Sequence, residues 1–351
     1  MARQLTDVIR LEAPAFSDGY DIIIEPDGLK RFAHRVPAQA VIVTNDTLAA
    51  LYREMLAEAL PQAKLITIPD GEAYKTLETT ARLYDEFVRA GLDRRGVVVA
   101  FGGGVVGDTA GFAAATYMRG VYLLQVPTSL LAMVDSSVGG KVGVDLLQGK
   151  NLVGAFKQPD LVIMDPNLLQ TLPDIEWRCG MAEVIKHGLL ADDALLDPAL
   201  WEKSRAQELV KRAVMVKVEV VQQDPFEQGI RAHLNLGHTF AHAIEQVTAY
   251  GWKHGVAVGV GLLAAAKLSH ALSLCDASLV TLVDETLERV GLPRSIGTLD
   301  PDAIYAAMAT DKKFQHGKSR FILLRGVGQP VIVEDVPKAE VIRVLEGLRS
   351  L

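Results

Sequence analysis

Val97-Val-Val-Ala-Phe-Gly-Gly-Gly-Val-Val-Gly-Asp108 is the stretch on which the reading of the fold turns. A short valine-rich strand ends in Gly102, Gly104 and Gly107, spaced G-x-G-x-x-G, and a helical pattern follows over 108–118. Strand, glycine turn and helix in that order offer free N–H groups and a positive dipole end to a dinucleotide pyrophosphate, and the glycines let the backbone approach it. A turn required only for strand–helix packing is the plainer alternative. The next strand, 122–126, ends without an acid for the ribose hydroxyls. The dinucleotide is therefore expected to bind differently from a standard Rossmann half, with Asp70-Gly-Glu72-Ala-Tyr-Lys75 as a source of polar contacts or, equally, a solvated turn.

Outward from this stretch, strands at 40–44, 64–68 and 121–126 alternate with helices at 48–60 and 77–90, and 22–24 and 161–164 add further strands. Such alternation implies βαβ units and a mainly parallel sheet covered on both faces. After about 166 helical patterns dominate, over 175–190, 204–221, 233–248, 256–274 and 276–290, before two late strands at 320–324 and 330–333. The expected architecture is an α/β, Rossmann-like nucleotide-binding domain at 1–165 and a mainly α-helical domain at 166–351, with the site in the cleft between them. The glycine-rich, polar segment 134–156 is expected to be a long functional loop.

A chain of 351 residues, 49% hydrophobic and 23% charged, is long enough for two domains with a large core. Its net charge of −7 argues against a general nucleic-acid binder. Cys179 and Cys275 lack metal-type spacing and fit a reduced, cytoplasmic protein. No signal pattern opens the chain. The apolar run 255–266 is too short for a bilayer, which needs about 20 residues, and reads as a buried helix.

Three residues in the second half could bind a metal: Glu183, His238 and His254. One carboxylate and two imidazoles with a position left open is a catalytic rather than a structural zinc set. Lys186 stands three residues after Glu183, so the two share a helix face. His187 could compete for the metal but reads better as an ordinary packed residue. His238 and His242 have the spacing of an H-E-x-x-H protease, yet Thr239 replaces the catalytic acid, so that reading fails. Arg231, Asn235, His238 and His242 read as one polar stripe along an apolar helix. Arg119, Lys141, Lys150, Lys186, Lys217 and Arg231, in an acidic protein, favour a doubly anionic ligand such as a carboxylate with a phosphate.

Gly-Gly-Gly-Val-Val-Gly-Asp, Tyr-Met-Arg-Gly, Gln-Val-Pro-Thr-Ser-Leu-Leu-Ala, Val-Asp-Ser-Ser-Val-Gly-Gly-Lys, Gly-Lys-Asn, Ala-Glu-Val-Ile-Lys and Leu-Asn-Leu-Gly-His-Thr together resemble the 3-dehydroquinate synthases, from about 70 to 326. The resemblance implies an NAD-dependent, zinc- or cobalt-dependent enzyme that turns a heptulosonate phosphate into 3-dehydroquinate and phosphate. It implies Glu183, His238 and His254 as metal ligands. Asp135, Lys141, Asn151, Lys186, Lys217, Arg231, Asn235 and His242 match substrate or catalytic positions, and one of Lys312 and Lys313 joins them. Arg119 matches an arginine that reaches the substrate phosphate from a neighbouring subunit, implying a homodimer. Asn45, Asp70, Glu72, Lys75, Gly104, Val105, Asp108, Thr128, Ser129, Lys141 and Lys150 match NAD positions.

Ser129, Met133, Val142 and Asp145 stand where the family often has Thr, Gln, Thr and Asn, and Val256 where Glu is frequent. Loss of that Glu is expected to remove a partner from the metal site; none of these departures is expected to touch a ligand or an anion-binding residue. Retention of Arg231, Asn235 and His242 argues against valiolone- and scyllo-inosose-type cyclases, while an aminodehydroquinate synthase stays open. A metal-dependent polyol dehydrogenase would not need so many cationic residues, and a nucleotide-binding regulator would not need the metal set.

Overall fold

The computed structural model describes residues 7–11, 19–310 and 319–349, so Lys312 and Lys313 lie outside the described residues. The chain divides into two compact units between Leu172 and Pro173.

The first unit contains β1 (Asp7–Leu11), β2 (Tyr20–Ile24), α1 (Gly28–Arg31), β3 (Ala40–Asn45), α2 (Asp46–Ala59), β4 (Lys64–Ile68), α3 (Leu77–Arg89), β5 (Val97–Gly102), α4 (Gly104–Thr116), β6 (Tyr122–Pro127), β7 (Lys141–Leu146), β8 (Gly149–Phe156) and β9 (Leu161–Met164). A seven-stranded sheet runs β1-β2-β9-β6-β5-β3-β4, parallel except where β1 pairs with β2. Every residue of β5 is buried, which is why it reads as a continuous apolar run rather than an alternating one. Asn45 and Thr76 start α2 and α3 by accepting the N–H of Leu48 and Thr79.

From β3 the chain steps outward to β4, then returns across β3 to β5 and continues to β6 on the other side. The strand order therefore reverses where β3 and β5 adjoin. In open α/β sheets the crevice beyond the carboxyl ends of the strands at such a reversal is the usual ligand site.

Segment 134–156 is not the long loop expected. A π-type turn, Ala132–Ser136, leads into the antiparallel hairpin of β7 and β8. Val142, Val144, Val153 and Ala155 pack on Phe112 and Ala115 of α4. Gly143 and Gly154 pair with each other between these inward residues, and they sit where the two backbones pass closely: a Cβ on Gly154 would meet the Val142 carbonyl oxygen at 2.5 Å.

The second unit holds α5 (Asp174–Leu190), α6 (Ala206–Gln223), α7 (His238–Val247), α8 (His254–Ala271), α9 (Ala277–Val290), α10 (Pro301–Thr310), the antiparallel pair β10 (Arg320–Leu324) and β11 (Pro330–Glu334), and α11 (Lys338–Glu346). The apolar run before 267 forms the buried α8, whose Leu262, Leu263 and Ala266 share a core with Phe240, Ile244 and Phe321. Among the described residues no helix is long and apolar enough to cross a membrane.

The helix expected over 233–248 is broken. A 3-10 helix, Ile230–Asn235, ends before Gly237, which takes φ 78°, and α7 begins afterwards. The break lets the chain lie directly on α8, where a Cβ on Gly261 would come within 2.2 Å of the Gly237 carbonyl oxygen. The expected polar stripe is thus divided between two elements.

Candidate active site

Glu183 stands in the middle of α5 with no exposed surface. A carboxylate buried among Ala182, Val184 and Ile185 is costly unless charges or a metal surround it. Here Lys186, one turn on and 1% exposed, contacts Oε2. On the other side Oε1 lies 3.6 Å from His238 Nε2 and 3.6 Å from His254 Nε2. All three ligand atoms fall within 4.8 Å of one another. Bonds of about 2.0–2.2 Å in tetrahedral array place ligand atoms about 3.3–3.6 Å apart, so the carboxylate–imidazole spacings fit a bound zinc-sized cation.

The imidazoles are aimed by their other nitrogens. His238 Nδ1 lies 3.1 Å from the Leu236 carbonyl oxygen, and His254 Nδ1 lies 3.1 Å from Glu245 Oε2. In each ring Nδ1 is engaged outward, so Nε2 is the nitrogen turned towards Glu183 and the one available to a cation once any proton on it is lost. The expected loss of a partner at Val256 therefore leaves His254 supported, by Glu245 of α7. That residue was not found by sequence reasoning, although it follows His238 by seven positions, two helical turns on the same face.

Gly255 brings His254 to the site. A Cβ there would lie 2.2 Å from the Cys179 carbonyl oxygen and 2.3 Å from its Cα, so the first turn of α8 rests against α5 one turn before Glu183. Burial pushes the Cys179 thiol up to about 11. Burial also drives His238 well below the ordinary imidazole range, against the pull of Glu183. For His254, burial works downward, but hydrogen bonds and charge from Glu183 and Glu245 outweigh it and raise the ring to about 9.

His242 is half-buried, its ring centroid 5.5 Å from that of His238 and 6.2 Å from that of His254. His187 is fully buried and stands outside the metal trio. Lys217 is buried on α6, which packs against α5 and the 3-10 helix before α7. Arg231 and Asn235 belong to that 3-10 helix: Arg231 donates its backbone N–H to Asp224 and its guanidinium to the Pro225 carbonyl, and Asn235 donates to Glu227 at 2.6 Å.

In the first unit the expected NAD residues gather at the carboxyl ends of four adjacent parallel strands. Asn45 ends β3, Asp70 follows β4, Gly104 and Val105 follow β5, and Thr128 and Ser129 follow β6. Asp70 accepts from Asn45 at 2.7 Å and from Thr47 at 2.8 Å. No side chain caps the N-terminus of α4, and Cβ atoms on Gly103 and Gly104 would sit 3.4 Å from the hydroxyls of Ser129 and Ser136. Open N–H groups over a floor without side chains suit a pyrophosphate.

Lys75 is buried between Asp108 and Asn151, 2.6 Å from an oxygen of each. Burial opposes its charge, and Asp108 and Glu72 outweigh burial, raising it above the ordinary lysine value. Lys150 pairs with Glu72 at 3.3 Å. Asp145, expected to touch no metal ligand or anion-binding residue, accepts the Asn151 backbone N–H at 2.7 Å and donates its own N–H to the Lys75 carbonyl. Asn151 thus belongs to the Lys75 cluster of the first unit. Asp135 lies half-buried in the π-type turn and Lys141 is exposed at the start of β7. Arg119 is exposed on a turn where Met118, Arg119 and Gly120 all have positive φ.

Residues 65–179 match the model for the 3-dehydroquinate synthase N-terminal region and 180–314 that for the 3-dehydroquinate synthase C-terminal region. The chain is 43% identical over 345 residues to the 3-dehydroquinate synthase of Rippkaea orientalis, covering 92% of this chain and 94% of that one. A 2-deoxy-scyllo-inosose synthase solved with carbaglucose-6-phosphate, NAD+ and Co2+ superposes with a TM-score of 0.87 at 26% identity, covering 97% of this chain and 99% of that one. The 2-epi-5-epi-valiolone synthase of Streptomyces hygroscopicus subsp. jinggangensis, with NAD+ and Zn2+ bound, gives 0.86 at 30% identity, covering 94% and 96%. With both family regions matched in order and a relative this similar along nearly its whole length, the chain belongs to the 3-dehydroquinate synthase family.

Proposed function

We propose that this enzyme converts 3-deoxy-D-arabino-heptulosonate 7-phosphate to 3-dehydroquinate and phosphate, the second step of the shikimate pathway, with NAD on the glycine turn and zinc or cobalt on Glu183, His238 and His254. The observation that carries the reading is the buried Glu183–His238–His254 cluster in a chain so similar to a 3-dehydroquinate synthase. The NAD and Zn2+ or Co2+ of the two solved cyclases support the cofactor pair. NAD supplies reversible hydride transfer and the cation supplies Lewis acidity at adjacent substrate hydroxyls.

The side chains divide the remaining work. Three protein ligands leave a position open for substrate oxygens. Lys141, Lys186, Lys217, Arg231, Asn235 and one of Lys312 and Lys313 hold the substrate through charge-assisted hydrogen bonds, and Arg119 of a second subunit in a homodimer holds its phosphate. Fixing both anionic ends keeps the reacting carbons in place for elimination and ring closure. Asp135 and Asn151 orient the substrate. His242, beside both histidine ligands, carries the proton that moves at ring opening. Asn45, Asp70, Glu72, Lys75, Gly104, Val105, Asp108, Thr128, Ser129 and Lys150 seat NAD. The enzyme acts in the cytoplasm.

Phosphate release from the heptulosonate phosphate, with trace NAD+ and added zinc, is the test, with NADH followed by absorbance. Many phosphates per NAD+ without accumulating NADH are expected, with loss on chelation and recovery with zinc. NADH accumulating without phosphate would move the chain to the dehydrogenases. Turnover only of the amino-substituted substrate would make it an aminodehydroquinate synthase.

A further inference from the structure

We propose that Glu245 is a positioning residue for the metal: its buried carboxylate fixes the ring of His254 and sets how tightly the cation is held. The proposal rests on Glu183, His238 and His254 being the ligands. Glu245 is 1% exposed and stands in the last turn of α7. Both facts count against a glutamate on local grounds. Burial penalises its charge, and a negative group near a helix C-terminus opposes the macrodipole. Its Oε2 lies 3.1 Å from His254 Nδ1, and this contact gives the charge a use.

The two imidazoles are held unequally. His238 donates to a neutral backbone carbonyl, that of Leu236, whereas His254 donates to a carboxylate. A carboxylate behind an imidazole fixes its tautomer and makes its other nitrogen a stronger donor to a metal. α7 thus carries a ligand at His238, a third histidine at His242 and the support for the second ligand at Glu245, on one face at spacings of four and three. α8 returns His254 onto that face.

The test uses the full-length protein stripped of metal, with zinc affinity measured by competition against a chromogenic chelator. Glu245→Gln keeps the size and a hydrogen-bond acceptor but removes the charge; the zinc dissociation constant is expected to rise about 10-fold, and with Glu245→Ala about 10- to 100-fold. The visible spectrum of the cobalt-loaded Glu245→Gln protein is expected to shift, a change that a purely structural role would not produce. His254→Ala separates the two levels of the argument. If His254→Ala loses zinc while both Glu245 variants bind within twofold of the parent with an unaltered cobalt spectrum, the role of Glu245 is overturned. If His254→Ala itself keeps full affinity, the ligand assignment falls first. Thermal melting of each variant confirms that a folded protein was measured.

Discussion

Gly255→Ala places a methyl group where the structure has backbone. The added Cβ would lie 2.2 Å from the Cys179 carbonyl oxygen, 2.3 Å from its Cα and 2.6 Å from its carbonyl carbon. Non-bonded carbon contacts are comfortable from about 3.5 Å, so the start of α8 must retreat from α5 by roughly 1 Å. His254 precedes Gly255 and Glu183 follows Cys179 by one turn, so this retreat lengthens the 3.6 Å gap between His254 Nε2 and Glu183 Oε1. Two ligands on one cation stand at most about 4.4 Å apart even in a straight line, and the cation has His238 to satisfy as well. Zinc binding should weaken by about 10²-fold or more, in keeping with the cost of a 1 Å misplacement. Overpacking should cost about 1–3 kcal/mol of stability. Gly259→Ala, one turn further along α8, is the control, since its Cβ would find neighbours no nearer than 3.4 Å. Zinc affinity by chelator competition and thermal melting would be measured on both. A folded Gly255→Ala protein that binds zinc within threefold of the parent would refute the argument that this glycine sets the ligand spacing.

Asp108→Asn removes a charge facing the buried Lys75 ammonium and should cost about 1–3 kcal/mol in urea unfolding. Because Lys75 is raised above its ordinary 10.5, the pair's stabilisation is present below that pH and fades only as pH climbs through the raised value, so equal losses are expected at pH 7 and pH 9; a loss that differs by more than about 1 kcal/mol between them would count against the pairing. Asp145→Ala frees the N–H of Asn151, which is held at φ 52° and accepts from the NAD-seating Lys75, and NAD should bind roughly fivefold more weakly, with Asp145→Asn recovering most of the affinity because it keeps an acceptor; equal affinity in Asp145→Ala would show that Asp145 does not support the Lys75 cluster. Cys179, with its thiol at about 11, has a thiolate fraction of roughly 10⁻³ at pH 8. Alkylation of the folded protein followed by peptide mass spectrometry should therefore find Cys275 modified first, and prior labelling of Cys179 would contradict its burial.

Local pattern carried most of the first unit. Parallel strands covered on both faces are continuous apolar runs, and β3, β5, β6 and β9 could be read as such. The β7–β8 hairpin could not, because Gly143 and Gly154 stand between its inward residues and leave only short apolar patterns, whose inner face gains its role against Phe112 and Ala115. The helix over 233–248 was read through Gly237 because a glycine inside a periodic stretch is tolerated. Its positive φ follows from contact with α8, which no local rule contains.

The sequence by itself determined the chemistry: which residue types could bind a metal, a pyrophosphate and an anionic substrate, since donor atoms, charge and glycine spacing are properties of the letters. It also determined the family, through motifs that keep their order along the chain. Tertiary structure decided how those groups are held. Glu183 becomes a buried charge only when α7 and α8 close over α5. Gly255 matters only because the Cys179 backbone lies against it, and Glu245 faces His254 only because the chain turns back at 248–253. Distance and burial belong to packing between elements far apart in sequence, and they turn a set of possible ligands into a site with a particular spacing and charge.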